Sequence, residues 1–272
     1  MSEATRRLDV ELVARGLARS RGQARDLVKA GSVRIDGLPA RKVATPVRPG
    51  QRLELSAGVE GWVSRAAYKL VAAMEAFGPD GLTVSGKRCF DVGAATGGFT
   101  QVLLRQGARE VVALDVGHGQ LAQEVAGDPR VIERSGVNIR DVRVDDLGGP
   151  AELIVGDLSF ISLRLVLAVL RDLVKPTGDL VLLVKPQFEV GRERLGKNGV
   201  VRSAGNRAVA IEEVVAAARK VGLNPRALCA SPIRGTTGNA EYLLWLSPRP
   251  EEGLSTAQVI ELAAILSMEA PR

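Results

Sequence analysis

Two lysines and two acids lie far apart in the chain: Lys69, Asp157, Lys185 and Glu241. Lys69 follows Ser64-Arg65-Ala66-Ala67-Tyr68 on a predicted helix, and Asp157 ends the apolar run Leu153–Gly156. Lys185 ends the run Asp179–Val184, and Glu241 opens the run that reaches Ser247. Taken singly, a lysine or an acid after an apolar strand is a solvated end or a cap. Two amines flanked by two carboxylates suit a narrower task, removing a proton from a sugar hydroxyl while that oxygen is alkylated. Such a hydroxyl is a weak acid, so its proton must be taken or polarised as the alkyl carbon approaches. A lysine serves as the base only where its neutral form is populated, and burial or a neighbouring cation favours that form. Lys185 is the expected acceptor, Lys69 and Glu241 orient it and the sugar, and Asp157 offsets the positive charge.

An alkyl donor needs its own seat. The strand Arg88–Val92 feeds the turn Gly93-Ala94-Ala95-Thr96-Gly97-Gly98 and then a helix beginning near Phe99. Glycines there let the backbone pass close to a ligand, and the turn lies at the carboxyl edge of the sheet, where open α/β folds bind ligands. The spacing does not match the G-x-G-x-x-G dinucleotide fingerprint, which weakens a pyrophosphate reading. Asp115 closes the next strand, Glu110–Asp115, where a carboxylate can accept from ribose hydroxyls, and Asn138 follows the third strand, where it could sit beside an adenine. His118, the chain's one histidine, reads as a turn or donor-edge residue rather than a metal ligand; no metal is expected.

The elements that must carry these residues alternate. Strands are expected at Arg88–Val92, Glu110–Asp115, Val131–Glu133, Leu153–Gly156, Asp179–Val184, Arg226–Ser231 and Glu241–Ser247, with helices over 64–77, 98–106, 118–126, 162–174 and 206–221. That order implies a largely parallel sheet covered on both faces. Between the last two strands stands only Pro232–Gly238, so they should pair antiparallel. The segment Arg192–Arg207, rich in Gly, Arg and Lys, reads as a mobile loop at the cleft edge. Ahead of this body, residues 8–15 and the stretch after Ser20 read as helices, Gly31 as a helix stop, Ser32–Ile35 and Gln51–Leu55 as strands, and Asp36-Gly37 as a tight turn.

Charge follows the same division. Residues 1–60 hold twelve Lys/Arg against seven Asp/Glu, so nearly all of the chain's net +6 lies there. A basic module on a near-neutral body suggests a polyanion gripped by one part and processed by the other. Cys89 and Cys229 fit no metal spacing and suit a reducing compartment. The first residues have no secretory pattern, and no stretch approaches the roughly 18 to 20 apolar residues that span a bilayer. The expected protein is soluble and cytoplasmic, with an oligomeric state that the sequence leaves open.

Several of these patterns resemble known families. Ser20-Arg21, Ala24, Leu27-Val28, Gly31, Val33 and Asp36-Gly37 resemble the S4 RNA-binding domain, which implies RNA contacts from Arg6, Arg19, Arg21, Arg25, Lys29, Arg34 and Lys42. Asp91-Val92-Gly93 with Gly97-Gly98-Phe99 resembles the first motif of S-adenosylmethionine-dependent methyltransferases. That fold is a Rossmann-like, seven-stranded, mostly parallel sheet with one antiparallel strand. The resemblance implies a donor site formed by Asp91, Gly93, Gly97, Gly98, Phe99, Asp115, Asn138 and Asp157. Lys69, Asp157, Lys185 and Glu241 resemble the catalytic tetrad of the FtsJ-like ribose 2′-O-methyltransferases.

An S4 module joined to such a domain, with Lys185-Pro186-Gln187-Phe188 and Gly238-Asn239-Ala240-Glu241-Tyr242, is similar to the TlyA or haemolysin A family. That resemblance implies an S4 domain over 1–57, a linker over 58–63 and a methyltransferase domain over 64–272. It also implies methylation of cytidine 2′-hydroxyls in ribosomal RNA or ribosomal subunits, the small and for many members also the large. The linker departs from the family at Glu60, where arginine is expected. Competing readings are a membrane-active haemolysin, a pseudouridine synthase (Arg7-Leu8-Asp9 spells part of its motif) and a non-catalytic RNA-binding protein. The first lacks any spanning segment, and the second leaves the glycine turn idle.

Overall fold

The computed structural model describes residues 5–18, 21–29, 31–55, 61–250 and 253–269. The chain divides into two compact units, 1–67 and 68–272.

The first unit contains β1 (Arg6–Arg7), α1 (Leu8–Ala14), α2 (Arg21–Lys29), β2 (Val33–Ile35), β3 (Leu38–Pro39), β4 (Pro46–Val47) and β5 (Leu53–Leu55). Its sheet runs β3-β2-β5, and β1 pairs with β4. Leu8, Leu12, Ala24, Val28, Val33 and Val47 are buried and form its core. The expected tight turn is a two-residue hairpin loop, with Asp36 at φ 51° and Gly37 at φ 79° between the paired Ile35 and Leu38. Two successive left-handed residues are what a twisted hairpin requires, and Asp-Gly supplies them at low cost. The Asp36 carboxylate accepts from Arg52 N and Gln51 Nε2, both at 2.8 Å, and its pKa is lowered mainly by the Arg52 amide.

Helix α3 (Ala66–Phe77) begins two residues ahead of the division, and the second unit continues through β6 (Arg88–Val92), α4 (Gly98–Arg105), β7 (Glu110–Asp115), α5 (Gln123–Ala126), β8 (Val131–Ser135) and β9 (Ala151–Gly156). Then come α6 (Leu167–Leu173), β10 (Val174–Val184), α7 (Pro186–Glu189), α8 (Ala204–Lys220), β11 (Asn224–Ala230), β12 (Tyr242–Ser247) and α9 (Thr256–Met268). Among the described residues the sheet has seven strands in the order β11-β12-β10-β9-β6-β7-β8. All neighbours are parallel except at β12, which is antiparallel to both β10 and β11. The central strands are continuous apolar runs because both of their faces are covered. From β6 the chain winds outward to β7 and β8, then returns to β9 on the other side. The carboxyl ends of β6 and β9 therefore form a topological switch point, where such sheets bind ligands.

The opposite edge is clamped by buried Asp179, which accepts from Trp245 Nε1 at 2.9 Å and Arg249 Nη2 at 2.5 Å. Two expectations need correction, and one element was not anticipated. The helix expected over 118–126 is only Gln123–Ala126, because Gly117 and Gly119 break the segment before it. Residues from Ala204 onward belong to α8 rather than to a loop. The C-terminal helix α9, absent from the sequence reading, packs against α8 and β11.

Candidate active site

Strand direction explains why residues so distant in sequence meet. β6, β9 and β10 are parallel, so Gly93, Asp157 and Lys185 leave the sheet at one edge. β12 runs the other way, so the residue before it emerges at that same edge; Tyr242 pairs with Val184, bringing Glu241 beside Lys185. Lys69 comes from the first turn of α3.

The four side chains form one chain of ion pairs. Lys185 Nζ lies 2.6 Å from Asp157 Oδ1, and Asp157 Oδ2 lies 3.1 Å from Lys69 Nζ. Lys69 Nζ in turn lies 2.7 Å from Glu241 Oε2. Lys69, Lys185 and Glu241 are 5%, 6% and 3% exposed, so these contacts are little screened by water. Two ammoniums and two carboxylates balance, which is what burial of four charges demands. Burial works to raise the Asp157 pKa, but the combined pull of Lys69 and Lys185 outweighs it and the net shift is downward. Asp157 thus stays ionised and is shared between the two amines.

Two residues not weighed from sequence extend this cluster. Ser159 Oγ accepts from Lys185 Nζ at 2.6 Å. Phe160, next in the chain, is 92% exposed with φ 63°, a left-handed backbone that a bulky residue rarely adopts. Its ring lies 5.5 Å from that of Phe188. The loop carrying both residues is tied to α7 by buried Glu189, which accepts from Ser162 Oγ at 2.5 Å and Leu163 N at 2.8 Å. Burial raises the Glu189 pKa against the opposing pull of these donors. The signal in the sequence was an aromatic beside a polar residue directly after a catalytic-edge acid.

The glycine turn stands next to this cluster. Gly93 (φ +84°) and Gly97 (φ +88°) have left-handed backbones, and a Cβ at Gly93 would sit 3.0 Å from Asp157 O. Gly98 and Phe99 begin α4 and are buried. Asp91 is fully enclosed: its Oδ2 accepts from Thr100 Oγ1 at 2.6 Å, its Oδ1 has no hydrogen-bond partner, and burial pushes its pKa up to about 7. The side chain therefore lies beneath the turn and is not presented on its surface. Asp115 holds Ala95 N at 2.8 Å and Gly117 N at 2.7 Å, and each oxygen keeps a lone pair for a further donor. Asn138 Oδ1 caps the short helix Ile139–Asp141 by accepting from Arg140 N at 3.2 Å.

The chemistry of this donor set fits a sulfonium nucleoside, with acceptors for ribose hydroxyls beside a glycine cradle. The cavity between Ala95, Asp115, Gln120, Leu121 and Ser135 measures about 10 Å³, room for about one water. Gln120, which lines this cavity, is exposed and sits in a loop that also carries Gly117 and Gly119.

The residues expected to contact RNA lie in the first unit. Arg21 and Arg7 both bind buried Asp9, at 2.9 Å each, and the Arg7 hydrogen bond is the chief cause of its pKa falling to about 2. Arg6 stands 3.9 Å from Glu11, and Arg34 Nη1 donates to Gly37 O at 2.8 Å. Arg25 and Lys42 are exposed. Arg19 and the Lys29 side chain lie outside the described residues.

Comparisons with known proteins match this architecture. The FtsJ-like methyltransferase family model matches residues 62–247, and the S4 domain model matches residues 6–53. The 16S/23S rRNA (cytidine-2′-O)-methyltransferase TlyA of Mycobacterium tuberculosis is 49% identical over 250 residues, 92% of each chain. Hemolysin A of Brachyspira hyodysenteriae is 34% identical, covering 87% of this chain and 98% of the relative. A solved chain from Streptococcus thermophilus that carries a hemolysin name superposes with a TM-score of 0.73 at 36% identity, covering 97% of this chain and 98% of that one. Among the described residues no helix is long and apolar enough to cross a membrane.

Proposed function

The chain belongs to the FtsJ-like methyltransferase family, in the group that includes TlyA and with an S4 domain ahead of the catalytic fold, and we propose that it methylates the ribose 2′-hydroxyl of cytidine in ribosomal RNA. S-adenosylmethionine is the donor in this reading, and it supplies an electrophilic methyl whose bonding pair leaves with sulfur. The substrate is the small-subunit RNA and, by extension from the relatives, the large; the protein works in the cytoplasm with the ribosome.

The observation that carries the reading is the continuous ion chain Lys185–Asp157–Lys69–Glu241 at the sheet edge, beside the glycine turn. Lys185, once it has given up its own ammonium proton to solvent, meets the 2′-hydroxyl and receives that proton as the oxygen–methyl bond forms. Asp157 holds Lys185 and Lys69 at a set separation and borders the methionine end of the donor. Lys69 and Glu241 orient the sugar, and Ser159 keeps the Lys185 amine aimed. General-base assistance of this kind is worth roughly 10²–10⁴-fold, with placement of the reactants adding more. Phe160 offers an open ring on which the target base stacks once it leaves its helix, an exchange that aromatic platforms compensate.

Gly93, Gly97 and Gly98 give the donor its close backbone approach, Asp115 receives its ribose, and Asn138 borders its base. Asp91 and Phe99 act from below, by bracing the turn. Residues 1–57 form the RNA-gripping module, 58–63 the linker and 64–272 the catalytic domain. Arg6, Arg19, Arg21, Arg25, Lys29, Arg34 and Lys42 meet RNA phosphates.

The test is transfer of labelled methyl from S-adenosylmethionine to ribosomal RNA, followed by mapping. The expected product resists alkaline cleavage at one cytidine and keeps its label on the ribose. Label on a base, or none with intact subunits as substrate, rejects the proposal. Release of vesicle contents without donor would favour a membrane activity instead.

A further inference from the structure

Glu241 must leave the end of a strand and turn its carboxylate inward, and the turn before it is shaped around that carboxylate. Residues 235–239 close on themselves: Gly238 N donates to Gly235 O at 2.8 Å and Gly235 N to Asn239 O at 2.9 Å. Asn239, 1% exposed, anchors the turn by accepting from Val201 N at 2.9 Å and donating to Gly199 O at 3.0 Å and Thr237 Oγ1 at 3.1 Å. Gly238 has φ +92°, so its backbone calls for glycine. Gly235 is not among the left-handed residues, and its conformation does not exclude a side chain. What excludes one is space. A Cβ at Gly235 would stand 2.4 Å from Glu241 Oε1 and 3.1 Å from its Cδ, while Glu241 Oε2 reaches Lys69 Nζ at 2.7 Å.

We propose that Gly235 is a positioning residue for methyl transfer, because its missing side chain leaves the space in which the Glu241 carboxylate turns toward Lys69. This rests on the catalytic reading of Lys69 and Glu241 given above. The atom a methyl would meet is the far end of a flexible side chain, so the carboxylate moves and the backbone stays. Once moved, Oε2 no longer meets Lys69, and the chain of pairs through Asp157 to Lys185 loses its terminal anion.

The test is Gly235→Ala in the full chain, alone and combined with Glu241→Ala. Expected is a fall in kcat of about tenfold or more, with RNA KM and donor Kd within about twofold of the parent, since the lost pair orients reacting groups already bound rather than holding RNA or donor. In the Glu241→Ala background the added methyl finds room, so it changes neither kcat nor the melting temperature, a fully non-additive cycle. An unchanged kcat for Gly235→Ala overturns the inference, as do multiplied losses in the double variant. If the single variant fails to fold, the double variant must still fold; an equally unstable double variant also overturns it. Failure of the underlying reading looks different, because Glu241→Ala would then itself turn over at the parent rate.

Discussion

At the scale of single residues, the site depends on one carboxylate serving two amines. Asp157 lies between Lys69 and Lys185, and Ser159 supplies Lys185 with a neutral partner at 2.6 Å. A hydrogen bond to a charged group contributes about 1.5–3 kcal/mol. Ser159→Ala should therefore lower kcat by about ten- to a hundredfold while RNA KM holds, and steady-state kinetics checks this. Asp91 makes a prediction about pH. Burial lifts its pKa to about 7 from the ordinary 3.8, so the folded state keeps a proton that the unfolded chain releases between those values. Stability contributed by this group is present below pH 3.8 and is lost as pH rises through about 7. The loss is on the order of a few kcal/mol. Asp91→Asn keeps an acceptor for Thr100 and removes the titration. Its melting temperature should fall less between pH 5 and pH 8 than that of the parent, measured in parallel scans; equal slopes would contradict the assignment. The four catalytic candidates were legible because their types are unusual together at element ends. Gly235 was not, since what matters there is space that only the folded turn reveals, and the exposure of Phe160 likewise appears only in the fold.

At the scale of elements, strands bounded by glycine and acid were readable, and β6 and β7 begin and end where the apolar runs do. Glycine-broken segments were not. The helix expected over 118–126 forms only at Gln123–Ala126, leaving a loop whose Gln120 lines the small cavity beside Asp115. If that loop yields to the ligand, S-adenosylmethionine should slow amide exchange across 116–122 more than across α8. Exchange measured with and without donor decides it, and an unaffected loop would mean that the nucleoside sits elsewhere. The helix α9 was missed although its signal stood in the sequence: Ser255 and Gln258 form a capping box just ahead of an apolar run. That run has little amphipathic contrast, so periodicity alone did not announce a helix. Ser255→Ala should cost about 1 kcal/mol of stability and leave methylation kinetics unchanged, as denaturant unfolding and turnover together would show.

At the scale of the whole molecule, nearly all of the net positive charge lies in the first fifth and the remainder is near neutral, a division that the proposed function assigns to RNA grip and catalysis. The Arg7 and Arg21 charges are partly spent on buried Asp9, which composition could not reveal. Arg25 and Lys42 are exposed and are the better candidates for phosphate contact. Replacing either by alanine should weaken RNA binding about equally across sequences and reduce the salt slope by about one, while donor affinity stays constant. The most direct measurement is single-turnover methyl transfer by Lys185→Ala, with donor and RNA binding measured on the same preparation. The expected result is a loss of at least about a hundredfold in rate with both affinities within about twofold of the parent. A near-parental rate would show that the paired lysines and acids do not carry the reaction.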